Sequence, residues 1–531
     1  MRRLGDIAYL LILALLLFGS FLVIFDRAMV RDYYTDENQF VASGKLLEAE
    51  GLLPYRDYPY FHMPNLIFVY ALIDRVTDFN LLGARSFSAL CSWAAVATLV
   101  YAAHRFFQRR SKWLRLAVGA GGVLLLLINP LFVFTSGFAW NHDFPVLLTM
   151  VAAITLLFSP GYLEARWMSI ASGFMLGLAV GTRLTFLTVL VPFLGALAFY
   201  PGDRSVRGKI LLVALFMAGF FVSMLPSFLL FISAPRAFIF GNIEYARLNT
   251  LYRQISGFEG PMTFSEKLDF LNQRVLALPG NLILLAMIGL LTLSSAVIYL
   301  LGRSAKAGVP PTAGSASRGE GSLPGVLNCA FLISLPAFLL VGSFLPTPSW
   351  YQYFYTPLPF LILMIIFGLS YLDRLSRPVR YASLTTFFLG VLLVNVIYFD
   401  QYPNLQLLTR PGAWFTVQTR VLGYKIKTIV GDGRVLTVTP LFPLDGGAKI
   451  YPEFATGKFA WRVAGFLTPE ERQAYKVLSK DDLIEIFESH PPEGILLERN
   501  RNIIDFFETY VRQKGYAPVE ISKSLTLWVL K

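Results

Sequence analysis

The sequence is poor in cysteine and in charged residues. Only Cys91 and Cys329 occur in 531 residues, and both lie in apolar runs, which excludes a disulfide framework. Charged residues make up 15% of the chain, against about 25% in a typical soluble protein. Hydrophobic residues reach 55%, which excludes a disordered chain. This composition is typical of a membrane protein.

The motifs of several enzyme classes are also missing. The sequence contains no P-loop, no HExxH zinc motif, no GxSxG nucleophile elbow and no paired CxxC. Residues 431–433 (Gly-Asp-Gly) are interpreted as a turn, because no G-x-G-x-x-G follows a strand there. Any catalytic function must therefore rest on other residues.

The charge that is present divides the chain into two parts. Residues 1–399 contain 48 charged residues, about 12%, whereas residues 400–531 contain 32, about 24%. In the first part, apolar runs approach the roughly 20 residues that cross a bilayer. They predict about eleven spans, at 7–25, 86–104, 116–134, 144–158, 167–181, 184–200, 209–232, 281–301, 325–345, 355–372 and 381–399.

The basic residues predict the orientation. If the N-terminus is cytoplasmic, the inner segments 1–6, 105–115, 159–166, 201–209, 302–324 and 373–380 together hold 17 Lys+Arg and 5 Asp+Glu. The net charge of +12 therefore reflects membrane topology and not nucleic-acid binding. The first span lacks a small-residue cleavage site and is interpreted as a retained anchor. We expect an integral multi-pass protein, of the inner membrane if the source is bacterial.

The fold class expected is a polytopic α-helical membrane protein with a C-terminal mixed α/β domain outside the cytoplasm. Residues 1–399 form the membrane domain, with long outer loops at 26–85 and 233–279. An odd number of spans places residues 400–531 on the outer side. Within this tail, period and composition predict strands at 434–439, 494–498 and 524–530 and helices at 469–489 and 502–514.

Asp36 is the first candidate site residue. It follows the first span and lies among the aromatic residues Tyr33, Tyr34 and Phe40. A carboxylate there can act as a general base on a hydroxyl, while the aromatics shape a sugar-sized site. The alternative is a helix start, with Thr35 or Asp36 as N-cap.

Further polar residues fall on the same predicted side of the membrane. Asn141, His142 and Asp143 open a later span, and the first outer loop adds Arg56, Asp57 and His62 as candidate substrate-site residues. The alternative interpretation of Asp143 is a helix N-cap. Histidine and carboxylates also bind metals, but no fixed ligand spacing is present, so a divalent metal stays an open alternative to no cofactor.

Arg183 interrupts an apolar stretch on the outer side. A guanidinium there can hold a lipid phosphate bidentately, and snorkelling to the interface is the alternative. Arg247 and Arg253 in the second outer loop are candidates for a second phosphate-binding site, and the alternative is that both are solvated. Tyr353 lies in the aromatic run 350–355, which is an aromatic belt or a carbohydrate platform.

The order of these features resembles the GT-C superfamily of integral-membrane glycosyltransferases. Within it, the likeness is to protein O-mannosyltransferases and lipid A aminoarabinose transferases, a branch similar to glycosyltransferase family 39. The resembling residues are Asp36-Glu37, residues 51–57 with Pro64, Asp143, residues 177–183, and Tyr353 before Pro357 and Pro359.

The resemblance implies an inverting hexosyl- or pentosyltransferase that uses a polyprenyl-phosphate sugar on the outer face. The acceptor would be a hydroxyl or phosphate of a glycan, lipid or protein. Asp36 would be the base, Glu37 its supporting neighbour and Asp143 a second acid. Arg183 would bind the lipid phosphate, although many relatives carry lysine near this position.

Two other functions compete with this one. A transporter or flippase of a lipid-linked sugar would have broken helices and polar residues at the bilayer midplane. A non-catalytic assembly protein is the third hypothesis. Because the tail shows no acid pair near the membrane, we expect the outer loops, and not the tail, to form the sugar and lipid site.

Overall fold

The structure, a computed structural model, is mainly helical. It describes residues 2–158, 162–200, 205–260, 262–306, 323–372, 377–498 and 504–530. The first part of the chain contains eighteen α-helices in these ranges. They are α1 Arg2–Val30, α2 Glu37–Glu50, α3 Asn65–Asp74, α4 Asn80–Phe106, α5 Lys112–Leu127, α6 Pro130–Thr135, α7 Asp143–Leu157, α8 Tyr162–Thr182, α9 Leu190–Ala198, α10 Val206–Ser233, α11 Pro235–Ile239, α12 Tyr245–Ile255, α13 Phe264–Phe270, α14 Pro279–Lys306, α15 Leu323–Phe344, α16 Tyr351–Tyr355, α17 Leu358–Leu372 and α18 Arg377–Ile397.

Six helical segments among the described residues are long and apolar enough to cross a membrane. They are Arg3–Val30, Asn80–Phe106, Val206–Ser233, Leu327–Phe344, Tyr351–Leu372 and Arg377–Ile397. A seventh candidate is the pair Phe264–Leu276 and Pro279–Ser294, bent by 92°. The chain is thus a multi-pass membrane protein by length and composition. The predicted apolar stretches all fall on helices, but a count of eleven spans stays a prediction.

Several helices begin or end at residues with an identifiable local cause. The hydroxyl of Ser111 accepts a hydrogen bond from the backbone N–H of Leu114 and caps α5. The helix α2 ends at Gly51, whose φ of 66° lies in the left-handed region that glycine adopts without strain. This glycine turns the chain into the segment that leads to the cavity described below.

Small residues set the packing of α8 against α10. A Cβ atom at Gly173 would lie 1.9 Å from the carbonyl oxygen of Phe216, and one at Gly177 would lie 2.1 Å from the Oγ of Ser223. Only glycine permits this approach of two backbones, as in the small-xxx-small contacts of membrane helices. The close packing fixes the end of α8, which carries Arg183.

The C-terminal part contains six helices and one mixed sheet in the described residues. The helices are α19 Phe415–Val430, α20 Leu441–Asp445, α21 Lys458–Val463, α22 Pro469–Tyr475, α23 Lys480–Ser489 and α24 Ile504–Gln513. The strands are β1 Arg434–Thr437, β2 Lys449–Ile450, β3 Gly494–Glu498, β4 Tyr516–Glu520 and β5 Leu525–Leu530. Their order is β2-β1-β3-β5-β4, with β1 parallel to β2 and β3, and β5 antiparallel to β3 and β4.

The predicted elements of the tail are found with small shifts. The strand predicted at 494–498 is β3, and those at 434–439 and 524–530 contain β1 and β5. The helix predicted at 469–489 is two helices, because Lys476 adopts a left-handed conformation with φ of 59°. That the tail is a separate domain stays a prediction.

The tail packs directly on the loop that follows α1. Asn80 donates to the carbonyl of Leu444 at 3.0 Å, and the backbone N–H of Leu81 donates to Asp445 at 3.1 Å. Arg434 forms an ion pair with Glu50 at 2.6 Å. These contacts hold the C-terminal part against residues 50–81, which belong to the predicted first outer loop.

Candidate functional site

One cavity lies where the loop after α1, the end of α8, α12, α16 and α21 meet. It encloses about 470 Å³, which is enough for a sugar-sized ligand. Its wall is made largely of aromatic and polar side chains. They include Tyr34, Asp36, Gln39, Phe61, His62, Arg183, Asn242, Tyr245, Asn249, Arg253, Trp350, Gln352, Tyr353, Lys458, Phe459 and Arg462.

Asp36 presents a carboxylate to this cavity. It immediately precedes α2, yet its side chain makes no capping hydrogen bond and its backbone is already helical, with φ of −67° and ψ of −24°. A capping role of the Asp36 side chain therefore has no support from the geometry. Burial raises the pKa of Asp36 to about 6, and the nearby cations Arg462, Lys458 and Arg183 limit that rise.

Glu37 points away from the cavity and forms a buried ion pair with Arg85, called the clamp below. Both its carboxylate and the guanidinium of Arg85 are fully buried, and two hydrogen bonds of 2.7 and 2.8 Å join them. Glu37 also accepts from the backbone N–H of Tyr34 at 2.9 Å and of Ala139 at 2.8 Å. These contacts fix the turn that carries Asp36, while the supporting role of Glu37 toward a base stays a prediction.

Arg85 ties the same turn to the end of the first helix. Its guanidinium donates to the carbonyl oxygens of Ala28 at 2.9 Å, Arg31 at 2.7 Å and Asp32 at 3.1 Å. Arg85 therefore holds the backbone that precedes Tyr34 directly, and it holds Tyr34 itself through the Glu37 carboxylate. The sequence does not single out Arg85, because a lone arginine near a predicted span looks like an interfacial charge.

Arg183 supplies a cation to the cavity. It follows the last residue of α8, and its Nη1 lies 2.9 Å from Nε2 of His142 and donates to Asn141 at 3.3 Å. Its Nε donates to Thr185 at 3.2 Å, and its guanidinium carbon lies 4.8 Å from the ring centre of Tyr353. Within the described ranges, no carboxylate forms an ion pair with it. A cation held only by neutral groups is suited to an anionic ligand.

His62 and the aromatic wall shape the cavity around these charges. The ring of His62 stacks on Phe40 with centroids 5.1 Å apart, and Phe61 stacks on Tyr245 at 3.8 Å. Burial, and then the charge of Arg183, lowers the pKa of His62 to about 3. At neutral pH this histidine is therefore an uncharged hydrogen-bonding group.

Asp143 lies behind the cavity wall. It is buried and accepts hydrogen bonds from the backbone N–H of Gly137 at 2.8 Å and from the hydroxyl of Tyr355 at 3.1 Å. Its neighbour His142 is buried between Trp140 and Tyr353 and contacts Arg183. His142 therefore positions Arg183, and neither His142 nor Asp143 lines the cavity itself.

The remaining predicted residues separate into one group at the cavity and one away from it. Arg253 lines the cavity, but Glu259 pairs with it through two hydrogen bonds of 2.8 and 2.5 Å. Arg247 is exposed on α12 and does not line the cavity. Arg56 and Asp57 pair with each other at 2.8 Å, also away from the cavity. Arg247, Arg56 and Asp57 therefore make no contribution to the cavity wall.

The expectation that the tail stays out of the site is wrong. Lys458, Phe459 and Arg462 of α21 line the cavity, and the hydroxyl of Tyr245 donates to the carbonyl of Phe459 at 3.2 Å. The sequence offered no signal for this, since α21 is a six-residue helix more than 400 residues from Asp36.

The donor set does not fit a metal ion. In the part of the chain that the structure describes, no three His, Cys, Asp or Glu side chains converge closely enough to hold one. Asp36 and His62 are the histidine and carboxylate groups among the lining residues. These two side chains are fewer than the three protein ligands of a catalytic zinc site.

Residues 61–227 match the family model described as dolichyl-phosphate-mannose-protein mannosyltransferase. The match contains His62, Asp143 and Arg183, whereas Asp36 precedes it. No curated protein matches the chain significantly by sequence.

Two solved structures share the fold. ArnT from Cupriavidus metallidurans bound to undecaprenyl phosphate is 14% identical in sequence, with a TM-score of 0.57. The superposition covers 100% of this chain and 99% of the ArnT chain. The apo state of the same protein is 12% identical, with a TM-score of 0.56 and the same coverage. The expected resemblance to GT-C membrane glycosyltransferases is thus confirmed in fold and, over residues 61–227, in sequence.

Proposed function

We propose that the chain is an inverting glycosyltransferase that moves a sugar from a polyprenyl-phosphate donor to an acceptor on the outer face of the membrane. The observation that carries the proposal is the pairing, in one cavity, of the Asp36 carboxylate and the Arg183 guanidinium. Neither group is neutralised by a hydrogen-bonded ion pair within the described ranges. A base and an anion-binding group are what such a transfer needs.

Arg183 is assigned to the donor phosphate. The phosphate is the leaving group and gains negative charge as the sugar departs, so a fixed cation beside it lowers the barrier. Neutral partners, His142 and Thr185, hold the guanidinium without cancelling its charge. The undecaprenyl phosphate bound in the ArnT structure of similar fold supports a polyprenyl phosphate as the lipid.

Asp36 is assigned as the general base. An acceptor hydroxyl in the cavity loses its proton to the carboxylate as its oxygen attacks the sugar carbon opposite the phosphate. One displacement of this kind inverts the configuration at that carbon. With a pKa of about 6, Asp36 is mostly ionised at neutral pH and is a stronger base than an ordinary aspartate. An acceptor phosphate would need no base, so a loss of activity in Asp36→Asn favours a hydroxyl.

The outer location of the site follows from the predicted topology. Cations gather in the segments assigned to the cytoplasm, and the loop that carries Asp36 follows the first span on the opposite side. A lipid donor is consistent with this side, since nucleotide sugars are cytoplasmic.

Two substitutions test the assignment together. Asp36→Asn should fold and bind undecaprenyl phosphate normally, because the Asp36 carboxylate makes no capping hydrogen bond, but turnover should fall about 10²–10⁴-fold. Arg183→Ala should weaken binding of the lipid about tenfold to a hundredfold, and Arg183→Lys should recover part of it. Arg247→Gln, an exposed arginine of the same region, is the control.

The outcomes separate the candidate functions. A near-normal transfer rate in Asp36→Asn would overturn the base assignment, because asparagine also caps helices well. Unchanged lipid affinity in Arg183→Ala would return that residue to an interfacial role. A purified chain that moves lipid-linked sugar between leaflets without transferring it would instead be a flippase.

A further inference from the structure

The cavity contains more cations than a single donor phosphate requires. Four basic residues line it, namely Arg183, Arg253, Lys458 and Arg462, against the single carboxylate of Asp36. Glu259 neutralises Arg253 from behind. Because basic side chains outnumber the single carboxylate in its wall, a cavity of this composition favours anionic ligands.

Arg462 is the cation of this wall that contributes an unsatisfied buried donor. Its Nε is buried without a hydrogen-bond partner, and in the described part of the chain no carboxylate pairs with it. Its guanidinium carbon lies 5.3 Å from the ring centre of Phe459 and 5.7 Å from that of Tyr252. These rings hold the side chain without removing its charge.

Lys458 extends the same positive surface. It precedes Arg462 by four residues in α21, so the two side chains emerge from one face of the helix. Both line the cavity, and both lie close enough to Asp36 to lower its pKa. Arg183, in contrast, comes from the end of a helix of the membrane part.

We propose that Lys458 and Arg462 form a second anion subsite, which holds an acidic group, phosphate or carboxylate, of the acceptor. This inference rests on the proposed transferase function. The donor phosphate occupies Arg183, and the acceptor places its anion on α21 and its hydroxyl at Asp36. The acceptor class is then a hydroxyl compound with a nearby negative charge, and the C-terminal part selects it.

The test uses the purified full chain saturated with undecaprenyl phosphate. Glycerol 3-phosphate, the probe, carries a hydroxyl and a phosphate, and glycerol is its uncharged counterpart. We expect equilibrium dialysis to show binding of glycerol 3-phosphate without displacement of the lipid, and no comparable binding of glycerol. Arg462→Gln and Lys458→Gln should each weaken the probe about tenfold or more, because each removes a charge-assisted contact. Arg247→Gln should leave its binding unchanged.

The results distinguish this inference from the proposed function. If glycerol 3-phosphate and the lipid displace each other, or if Arg462→Gln weakens the lipid and not the probe, the cavity has one anion site and the inference is overturned. Equal binding of glycerol and glycerol 3-phosphate would overturn it as well. Failure of the proposed function is a different result, namely undecaprenyl phosphate that does not bind or that ignores Arg183→Ala.

Discussion

The buried pair of Glu37 and Arg85 gives the most quantitative prediction. Both side chains are fully buried, and Arg85 also holds three backbone carbonyls between Ala28 and Asp32, from the end of α1 into the turn before α2. Arg85→Met removes the cation and leaves the Glu37 carboxylate buried without its partner. Breaking a buried pair in this way typically costs about 3–5 kcal/mol. We expect a clearly lower melting temperature and, because the turn carries Asp36, a lower turnover.

The double variant Glu37→Gln/Arg85→Met isolates the cause. It removes both charges, so it should regain part of the stability lost in Arg85→Met, since no uncompensated charge stays buried. The matched control is Arg56→Met, which breaks an exposed pair with Asp57, where about 0–1 kcal/mol is expected. Thermal unfolding of detergent-purified protein, followed by tryptophan fluorescence, measures all three. If Arg85→Met unfolds at the same temperature as Arg56→Met, the clamp does not hold the site.

The remaining predictions concern pH and the cavity wall. Because Asp36 must be ionised and burial raises its pKa to about 6, turnover should fall about tenfold per pH unit below 6. Arg462→Gln removes a cation that lowers this pKa, so the inflection of the pH–rate profile should move to higher pH. An inflection near pH 4 in the parent enzyme, about the ordinary aspartate value, would refute the assignment of Asp36 as the base. Gly241→Ala places a Cβ 2.1 Å from the carbonyl oxygen of Tyr60 and should reduce both stability and turnover. Gly195→Ala, with no atom within 4 Å, should do neither.

Local signals in the sequence were sufficient for much of the fold. Apolar runs located the helices, and β3 was predicted at its observed bounds because Ile495, Leu496 and Leu497 form a short apolar run. The strand β4 was missed because Pro518 argues against a strand interior. The structure explains the exception, since β4 is an edge strand that pairs only with β5.

The candidate site was predicted only in part, for a similar reason. Asp36, His62, Arg183 and Tyr353 were identifiable because each is polar or aromatic at a predicted membrane boundary, and the cavity does bring them together. Whether Asp36 capped a helix or faced a cavity depended on side-chain geometry that a sequence does not contain.

The partners that come from distant parts of the chain carried no local signal. Arg85 looks like an ordinary boundary arginine until it is seen beside Glu37. Arg462 lies in a charged, soluble-looking tail, and only the packing of α21 against α12 brings it to the cavity. Contacts over such sequence separations depend on the whole topology and not on any local pattern.

The position of the lipid phosphate tests the central claim most directly. A density map of the full chain with undecaprenyl phosphate bound should place the phosphate about 3 Å from the Arg183 guanidinium, inside the cavity that Asp36 lines. The prenyl chain should leave this cavity toward the membrane helices. A phosphate bound elsewhere, for example beside Arg105 in the apolar groove between α4 and α7, would contradict the proposed site.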